Sequence, residues 1–289
     1  MFFTIRGWLC ILLSMLLVVP PVLAADAVAM VTDLKGEARL TENGSTDRLQ
    51  LLAYLAGGAE IEVAKDARVV ITYFSSPQEY VFTGPAKIRI EAAGPQSLAG
   101  NVVQTRKLEQ DSSGVMKKFS SMQREKLYQA TYEMRGARPG LRLIGPIDTS
   151  ISTLQPEFAW SGPNNASAYR FSLSDSAGRT LKTFKTRKSG WQVSGSALLK
   201  YGNAYRWKVE TSLDSGETLS AAGSFKVLGK AGAMAIAAAR PGPDADFTER
   251  VLYAARLETA GLAYQAKKEW QVLAHERPDN PVLQEKAVQ

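Results

Sequence analysis

The stretch LLKYGNAYRWKVE, which spans residues 198–210, decides the class of fold. After its glycine turn, apolar and charged side chains alternate strictly, in the order Tyr205, Arg206, Trp207, Lys208, Val209 and Glu210. This period of two residues, carried by aromatic and β-branched side chains, predicts a strand with one buried and one solvent-exposed face. Such a strand is stable only within a sheet, so its pairing partners are expected nearby.

Residues 141–228 contain further stretches of this kind. YRFSLSDSAG alternates inward Tyr169, Phe171 and Leu173 with polar side chains and then ends in a turn. TLKTF, GWQV and GSFKVL are shorter runs that lie between turn residues. About seven short strands at this spacing are typical of an immunoglobulin-like β-sandwich.

Two features in this region resemble a fibronectin type III domain. They are Trp160, followed by Ser-Gly-Pro, and the stretch LLKYGNAYRWKV. The resemblance implies that Trp160 fills the core between the two sheets and that the hydroxyl of Tyr205 ties down the preceding glycine loop. It specifies a fold and says little about function.

Residues 25–101 show a second strand-rich pattern. AEIEVA places Glu60 and Glu62 on the face opposite Ile61 and Val63, and ARVVITYF is rich in β-branched side chains. In AKIRIE, inward side chains alternate with outward ones, in the order Ala86, Lys87, Ile88, Arg89, Ile90 and Glu91. A compact antiparallel β unit is expected here.

This first unit resembles the periplasmic domain of the FecR (ferric-citrate regulator) family. The stretches that carry the resemblance are VTDLKGEARL, LLAYLAGGAEIEVAKDARVVITYFSS and YVFTGPAKIRI. Family members that signal iron carry a cytoplasmic segment and a membrane-spanning helix ahead of this domain. In this sequence a signal peptide is expected at that place instead. The resemblance therefore implies the fold, whereas a role in signalling is kept as an alternative.

Residues 102–140 predict a helical connector. Apolar residues recur at steps of three and four residues, and eight Lys or Arg residues stand against four acids. We interpret the charges as a solvated helix face in preference to an anionic-surface contact, because the apolar stripe is weak.

The C-terminal part, residues 244–289, predicts a helical hairpin after an alanine-, glycine- and proline-rich linker at residues 229–243. Asp246 and Glu249 form a capping-box-like start, Gly261 allows the turn, and Pro278 ends the second helix. The hairpin resembles a single tetratricopeptide repeat, and NPVLQEKAVQ is a candidate start of a third helix.

One such repeat cannot bury its own apolar stripe, because repeats in an array stabilise one another. We therefore expect a docking surface for this stripe, formed by Leu257, Ala266, Trp270 and Leu273. The candidate surfaces are the fibronectin-like domain, a second copy of the chain (self-association), or a repeat-bearing partner.

The first 24 residues predict a Sec-type signal peptide. Arg6 precedes an apolar run from Leu9 to Val19, and the segment closes at Ala24 with a small-residue cleavage pattern. Cys10 is the sole cysteine and does not occupy a lipobox. A periplasmic or secreted protein is expected, with an uncleaved inner-membrane anchor as the alternative. An exported chain without disulfides suits the bacterial envelope.

The sequence offers few groups for catalysis. His275 is the only histidine, which excludes clustered histidine–cysteine metal sites. We interpret Glu60 with Glu62 as part of a solvent-exposed strand face. We interpret Asp244 with Asp246 as capping residues at a helix start. With no nucleophile or phosphate-loop motif recognised, we expect no enzyme activity, no metal and no cofactor.

The formal charge is +7, and it becomes +6 when Arg6 leaves with the signal segment. We interpret this charge as an aid to solubility, with no nucleic-acid partner expected. Trp191 is a candidate platform for a sugar or peptide, although a partly buried strand position is favoured.

The chain is thus expected to be mainly β with helices, and to be a non-catalytic interaction or scaffold protein that binds envelope proteins. Binding of peptidoglycan or another glycan, and envelope sensing, are the alternatives.

Overall fold

The computed structural model describes residues 27–100, 104–108, 113–129, 140–195 and 198–288, with side chains of the first helix described from 114 to 122. The predicted signal peptide and parts of the predicted connector lie outside these residues. Within them the chain is mainly β, with several antiparallel sheets and a C-terminal helical region, as the sequence predicted.

The N-terminal β unit is built from two five-stranded antiparallel sheets. Its strands are β1 (Ala27–Lys35), β2 (Ala38–Glu42), β3 (Ser45–Arg48), β4 (Tyr54–Ala56), β5 (Glu60–Val63), β6 (Arg68–Tyr73), β7 (Gln78–Thr83), β8 (Ala86–Glu91), β9 (Gly94–Gly100) and β10 (Gln104–Lys107). One sheet has the order β10-β7-β6-β1-β4 and the other β3-β2-β5-β8-β9. Because β10 pairs with β7, the unit continues past residue 101.

The predicted alternation in this unit is confirmed. Ile61, Val63, Ile88 and Ile90 are buried between the sheets, while Glu62 points to solvent. Alternation appears in β5 and β8 because one face of these strands lies on the shared core and the other in water, whereas β1 and β6 are buried on both faces.

The second β unit is an immunoglobulin-like sandwich. Its strands are β11 (Arg142–Gly145), β12 (Thr149–Ile151), β13 (Glu157–Ser161), β14 (Tyr169–Asp175), β15 (Thr180–Thr186), β16 (Gly190–Gln192), β17 (Ala204–Ser212) and β18 (Thr218–Val227). A three-stranded sheet, β11-β13-β16, faces a five-stranded sheet, β12-β18-β17-β14-β15. Of the described strand pairs, only β12 with β18 is parallel.

The opening stretch behaves as predicted. Tyr205, Trp207 and Val209 are buried in the core of the sandwich, together with Trp160. The hydroxyl of Tyr205 accepts a hydrogen bond of 2.7 Å from the backbone N–H of Lys200. The tyrosine therefore holds the glycine loop in place.

The helices are α1 (Ser113–Gln129), α2 (Lys230–Ala238), α3 (Phe247–Thr259), α4 (Ala263–Glu276) and α5 (Pro281–Val288). The alanine run of the predicted linker is thus the helix α2, and Ile236 on it packs into the helical core. Among the described helices, none has the length and hydropathy that a membrane crossing requires.

Candidate functional site

The C-terminal hairpin, α3 with α4, lies at the junction of the molecule. Its four predicted docking residues are almost fully buried: Leu257 at 1 %, Ala266 at 2 %, Trp270 at 2 % and Leu273 at 1 % exposure. These residues belong to one hydrophobic cluster that also contains side chains of α1 and of the N-terminal β unit. The chain therefore covers its own stripe, and these four side chains offer no free surface to a partner in this conformation.

Helix α1 and the N-terminal β unit supply the covering surface. Met116 and Phe119 of α1 are fully buried, and the ring of Phe119 lies 6.4 Å from that of Trp270. Met30 of β1 and Leu51 and Leu52 of the loop before β4 complete the cluster. The weak apolar stripe of the connector is thus a packing face, while Lys117 and Lys118 of the same helix are exposed.

A buried ion pair lies inside the helical core. The Nζ of Lys286 on α5 lies 3.2 and 3.3 Å from the two carboxylate oxygens of Glu258 on α3. The indole N–H of Trp270 donates to the same carboxylate at 3.2 Å. The ammonium group also lies 5.0 Å from the ring centre of Phe119. Three helices and α1 are therefore joined by one polar cluster within apolar surroundings.

The first charged link between the hairpin and the N-terminal β unit is centred on Asp33, whose side chain is 4 % exposed. Arg277, at the end of α4, contacts Oδ1 of this carboxylate, and Arg68 of β6 contacts Oδ2 at 2.5 Å. The guanidinium group of Arg277 also stacks on the ring of Phe247, 3.5 Å from its centre. Because the guanidinium group of Arg277 both stacks on a ring and pairs with a carboxylate, its position and orientation are fixed. This link therefore orients the end of α4.

The second charged link joins β7, β10 and the start of α3. Arg106 donates from Nε to Glu79 at 2.6 Å and also contacts Asp246, which is the N-cap of α3. Glu79 is 2 % exposed, and its Oε2 has no hydrogen-bond partner among the described residues. Burial raises the pKa of Glu79, and the hydrogen bond from Arg106 only partly opposes this effect.

Because its pKa is raised above the ordinary value of 4.5 in the folded state, Glu79 takes up a proton at a higher pH when folded than when unfolded. We therefore expect the stability of the native protein, relative to Glu79→Gln, to rise as the pH falls through the folded-state pKa. The gain should level off below 4.5, where the unfolded chain is also protonated. Denaturant titrations of both proteins across this pH range check the expectation. A free energy of unfolding of the native protein that falls in acid relative to that of Glu79→Gln would contradict it.

The sandwich contacts the other side of the hairpin through its turn. The carbonyl of Gly261 accepts from the backbone N–H of Ser150 at 3.0 Å and from the hydroxyl of Thr149 at 3.2 Å. The backbone N–H of Ser152 donates to the side-chain oxygen of Gln265 at 2.8 Å. An exposed ion pair of 2.5 Å joins Lys268 to Glu157. Both β units therefore contact the same hairpin.

A cleft remains where the hairpin meets the N-terminal β unit. It has a volume of about 780 Å³ and is lined by residues 34–37, residues 48–51 and residues 276–282. Its walls carry both signs of charge, from Lys35, Arg48, Glu276 and Asp279, together with the amide of Asn280. Since one wall comes from each unit, the cleft exists only when the hairpin is docked.

The other predicted site residues lie apart from this junction. Trp191 is half-buried and stacks on Phe158, with ring centres 5.8 Å apart and an angle of 10° between the rings. One face of Trp191 is therefore occupied by the core of the sandwich. Among the described residues, no group of three or more His, Cys, Asp or Glu side chains is arranged to hold a metal ion.

Two of the four carboxylates singled out in the sequence hold cations or cap a helix, whereas Glu62 and Asp244 are exposed. Glu60 binds Lys87 at 2.9 Å and Arg89 at 2.6 Å, and hydrogen bonds from these two residues lower its pKa. Asp246 accepts from the backbone N–H of Glu249 at 2.9 Å, as the predicted cap requires. The buried ion pair and the two charged links were not identified from the sequence, because their partners lie far apart along the chain.

No family model matches the chain, and no curated protein matches it. Among solved structures, CopC from Methylosinus trichosporium OB3b is 14% identical, with a TM-score of 0.25 over 31% of this chain and 94% of that chain. The fn3 domain of human collagen alpha-1(XX) chain is 15% identical, with a TM-score of 0.23 over 40% of this chain and 94% of that chain.

A two-domain fibronectin type III segment of chicken tenascin is 11% identical, with a TM-score of 0.21 over 68% of this chain and 94% of that chain. TM-scores this low carry no argument about function. The description of the second β unit as an immunoglobulin-like sandwich rests on its own sheets.

Proposed function

We propose that the chain is a non-catalytic scaffold of the bacterial envelope that holds two β units in a fixed arrangement and binds envelope proteins. The observation that carries the proposal is the shared hairpin: its buried stripe joins α1 and the N-terminal β unit, and its turn joins the sandwich. A joint of this kind fixes relative position, which is what a scaffold needs.

The cleft between the hairpin and the N-terminal β unit is the proposed partner site. Its volume of about 780 Å³ lies within the range of ligand-binding clefts, and its mixed charges suit a polar protein segment. The FecR-like and tetratricopeptide-like resemblances support this assignment, because both kinds of module are used for interaction. Export to the periplasm, as the first 24 residues predict, would place the cleft among envelope proteins.

Photo-crosslinking in intact cells tests the proposal. A photoreactive amino acid at Gln50 or Asp279, which are exposed on opposite walls of the cleft, is expected to capture the same discrete protein partner. The matched control places the same amino acid at Ser215, on an exposed turn of the sandwich. If Ser215 captured the same protein as efficiently, or the cleft positions captured none, the proposal would fail.

A further inference from the structure

The outer face of the five-stranded sheet of the sandwich is rich in cations. Outward positions alternate with buried ones on β14 and β17, so Arg170 and Arg206 project to solvent opposite Phe171 and Trp207. Lys185 of β15 and Lys208 of β17 lie on the same outer face. The positions between them carry mainly hydroxyl side chains, including Ser172, Thr183 and Ser220.

The strand register places two cations directly opposite each other. Arg170 is the partner of Lys185 on one side and of Glu210 on the other. Glu210 is already bound to Lys208 at 2.9 Å. Within the described part of the chain, neither Arg170 nor Lys185 forms an ion pair. Like charges at directly opposed positions destabilise a sheet, so the pairing of Arg170 with Lys185 has a cost.

The positive field extends beyond these strands. Exposed Arg187 and Lys188 directly follow the edge strand β15. Arg170 lies opposite Glu210, which is four residues from Arg206 along β17. The positions of Arg170 and Arg206 are therefore about 14 Å apart along the strands. The cations therefore spread over an area larger than one small anion, and a partner with many separated negative charges would neutralise them.

We propose that this face, defined by Arg170, Lys185, Arg206 and Lys208, binds the phosphate headgroups of an anionic phospholipid surface. An open sheet presents its cations and hydroxyl donors in one layer, which matches a plane of phosphates. A nucleic-acid strand would instead call for aromatic side chains on which bases stack, and the outward positions of this sheet carry none. Guanidinium and hydroxyl groups both donate to phosphate oxygens.

Co-sedimentation of the full chain with vesicles tests this proposal. The vesicles contain equal parts of phosphatidylglycerol and phosphatidylcholine, and pure phosphatidylcholine vesicles measure any binding through the apolar N-terminal segment. The triple variant Arg170→Gln/Lys185→Gln/Arg206→Gln is expected to lose about a hundredfold in the charge-dependent affinity, as follows for three cations near an anionic bilayer. Added salt is expected to weaken the native protein's binding strongly.

The matched control removes three exposed cations elsewhere, as Lys65→Gln/Lys117→Gln/Lys230→Gln, and so changes the net charge equally. It is expected to bind the charged vesicles nearly as tightly as the native protein. An equal loss in both triple variants would mean that only net charge matters, and would overturn the proposal. So would native protein that binds heparin through these residues while it ignores the charged vesicles.

Discussion

Replacing Trp270 with alanine is expected to destabilise the helical core by about 3–5 kcal/mol, the usual cost of deleting a buried tryptophan. The side chain is 2 % exposed, packs against Phe119 of α1, and donates to Glu258. Its loss removes apolar contacts on two sides and a hydrogen bond to a buried carboxylate. The hairpin is therefore expected to separate from α1 and the N-terminal β unit before either β unit unfolds.

A local probe measures this effect better than global unfolding, because a chain of several units does not unfold in one step. Cys10 is the sole cysteine, so Cys10→Ser with Ala266→Cys leaves one thiol, at a position that is 2 % exposed. In this background, Trp270→Ala is expected to raise the thiol-labelling rate about a hundredfold or more, the factor that corresponds to about 3 kcal/mol.

Val272→Ala is the control in the same helix, since Val272 is 55% exposed and its truncation is expected to change stability by about 0.5 kcal/mol or less. If the two variants labelled at the same rate, Trp270 would not hold the hairpin in place. If Trp270→Ala left the hairpin closed but melted the sandwich, the assignment of the joint would be wrong.

The faces of the strands could be predicted from the sequence because the pattern is local. Alternation over six residues is enough to place Trp207 inside and Lys208 outside, and the same holds for Ile88 and Lys87. Helical spacing likewise identified Trp270 and Leu273 as a stripe that had to be covered. In each case the required information lies within a few residues.

The covering surface could not be predicted in this way. Asp33 and Arg277 are 244 positions apart, and Arg106 and Asp246 are 140 apart, so no local pattern connects them. Phe119 lies in a connector whose apolar stripe is weak when considered alone, although the side chain is fully buried. A long-range contact depends on the packing of whole units, which periodicity does not encode.

Glu258 provides the second large expected effect, because its carboxylate balances a buried cation. Glu258→Ala is expected to destabilise the helical core by about 3–5 kcal/mol, since the ammonium group of Lys286, 7% exposed, loses the carboxylate that lies 3.2 Å away. The aromatic rings of Phe119 and Trp270 remain near Lys286, and they compensate only in part. The thiol at position 266 again reports the opening of the hairpin.

The double variant Glu258→Leu/Lys286→Met separates charge from packing. Buried ion pairs replaced by apolar side chains of similar size are often neutral or stabilising, so the double variant is expected to label close to the reference rate. If it opened as readily as Glu258→Ala, the effect would arise from shape or from the lost bond to Trp270, and not from an unbalanced charge. The expected order instead shows that the opening caused by Glu258→Ala arises from the unbalanced charge of Lys286.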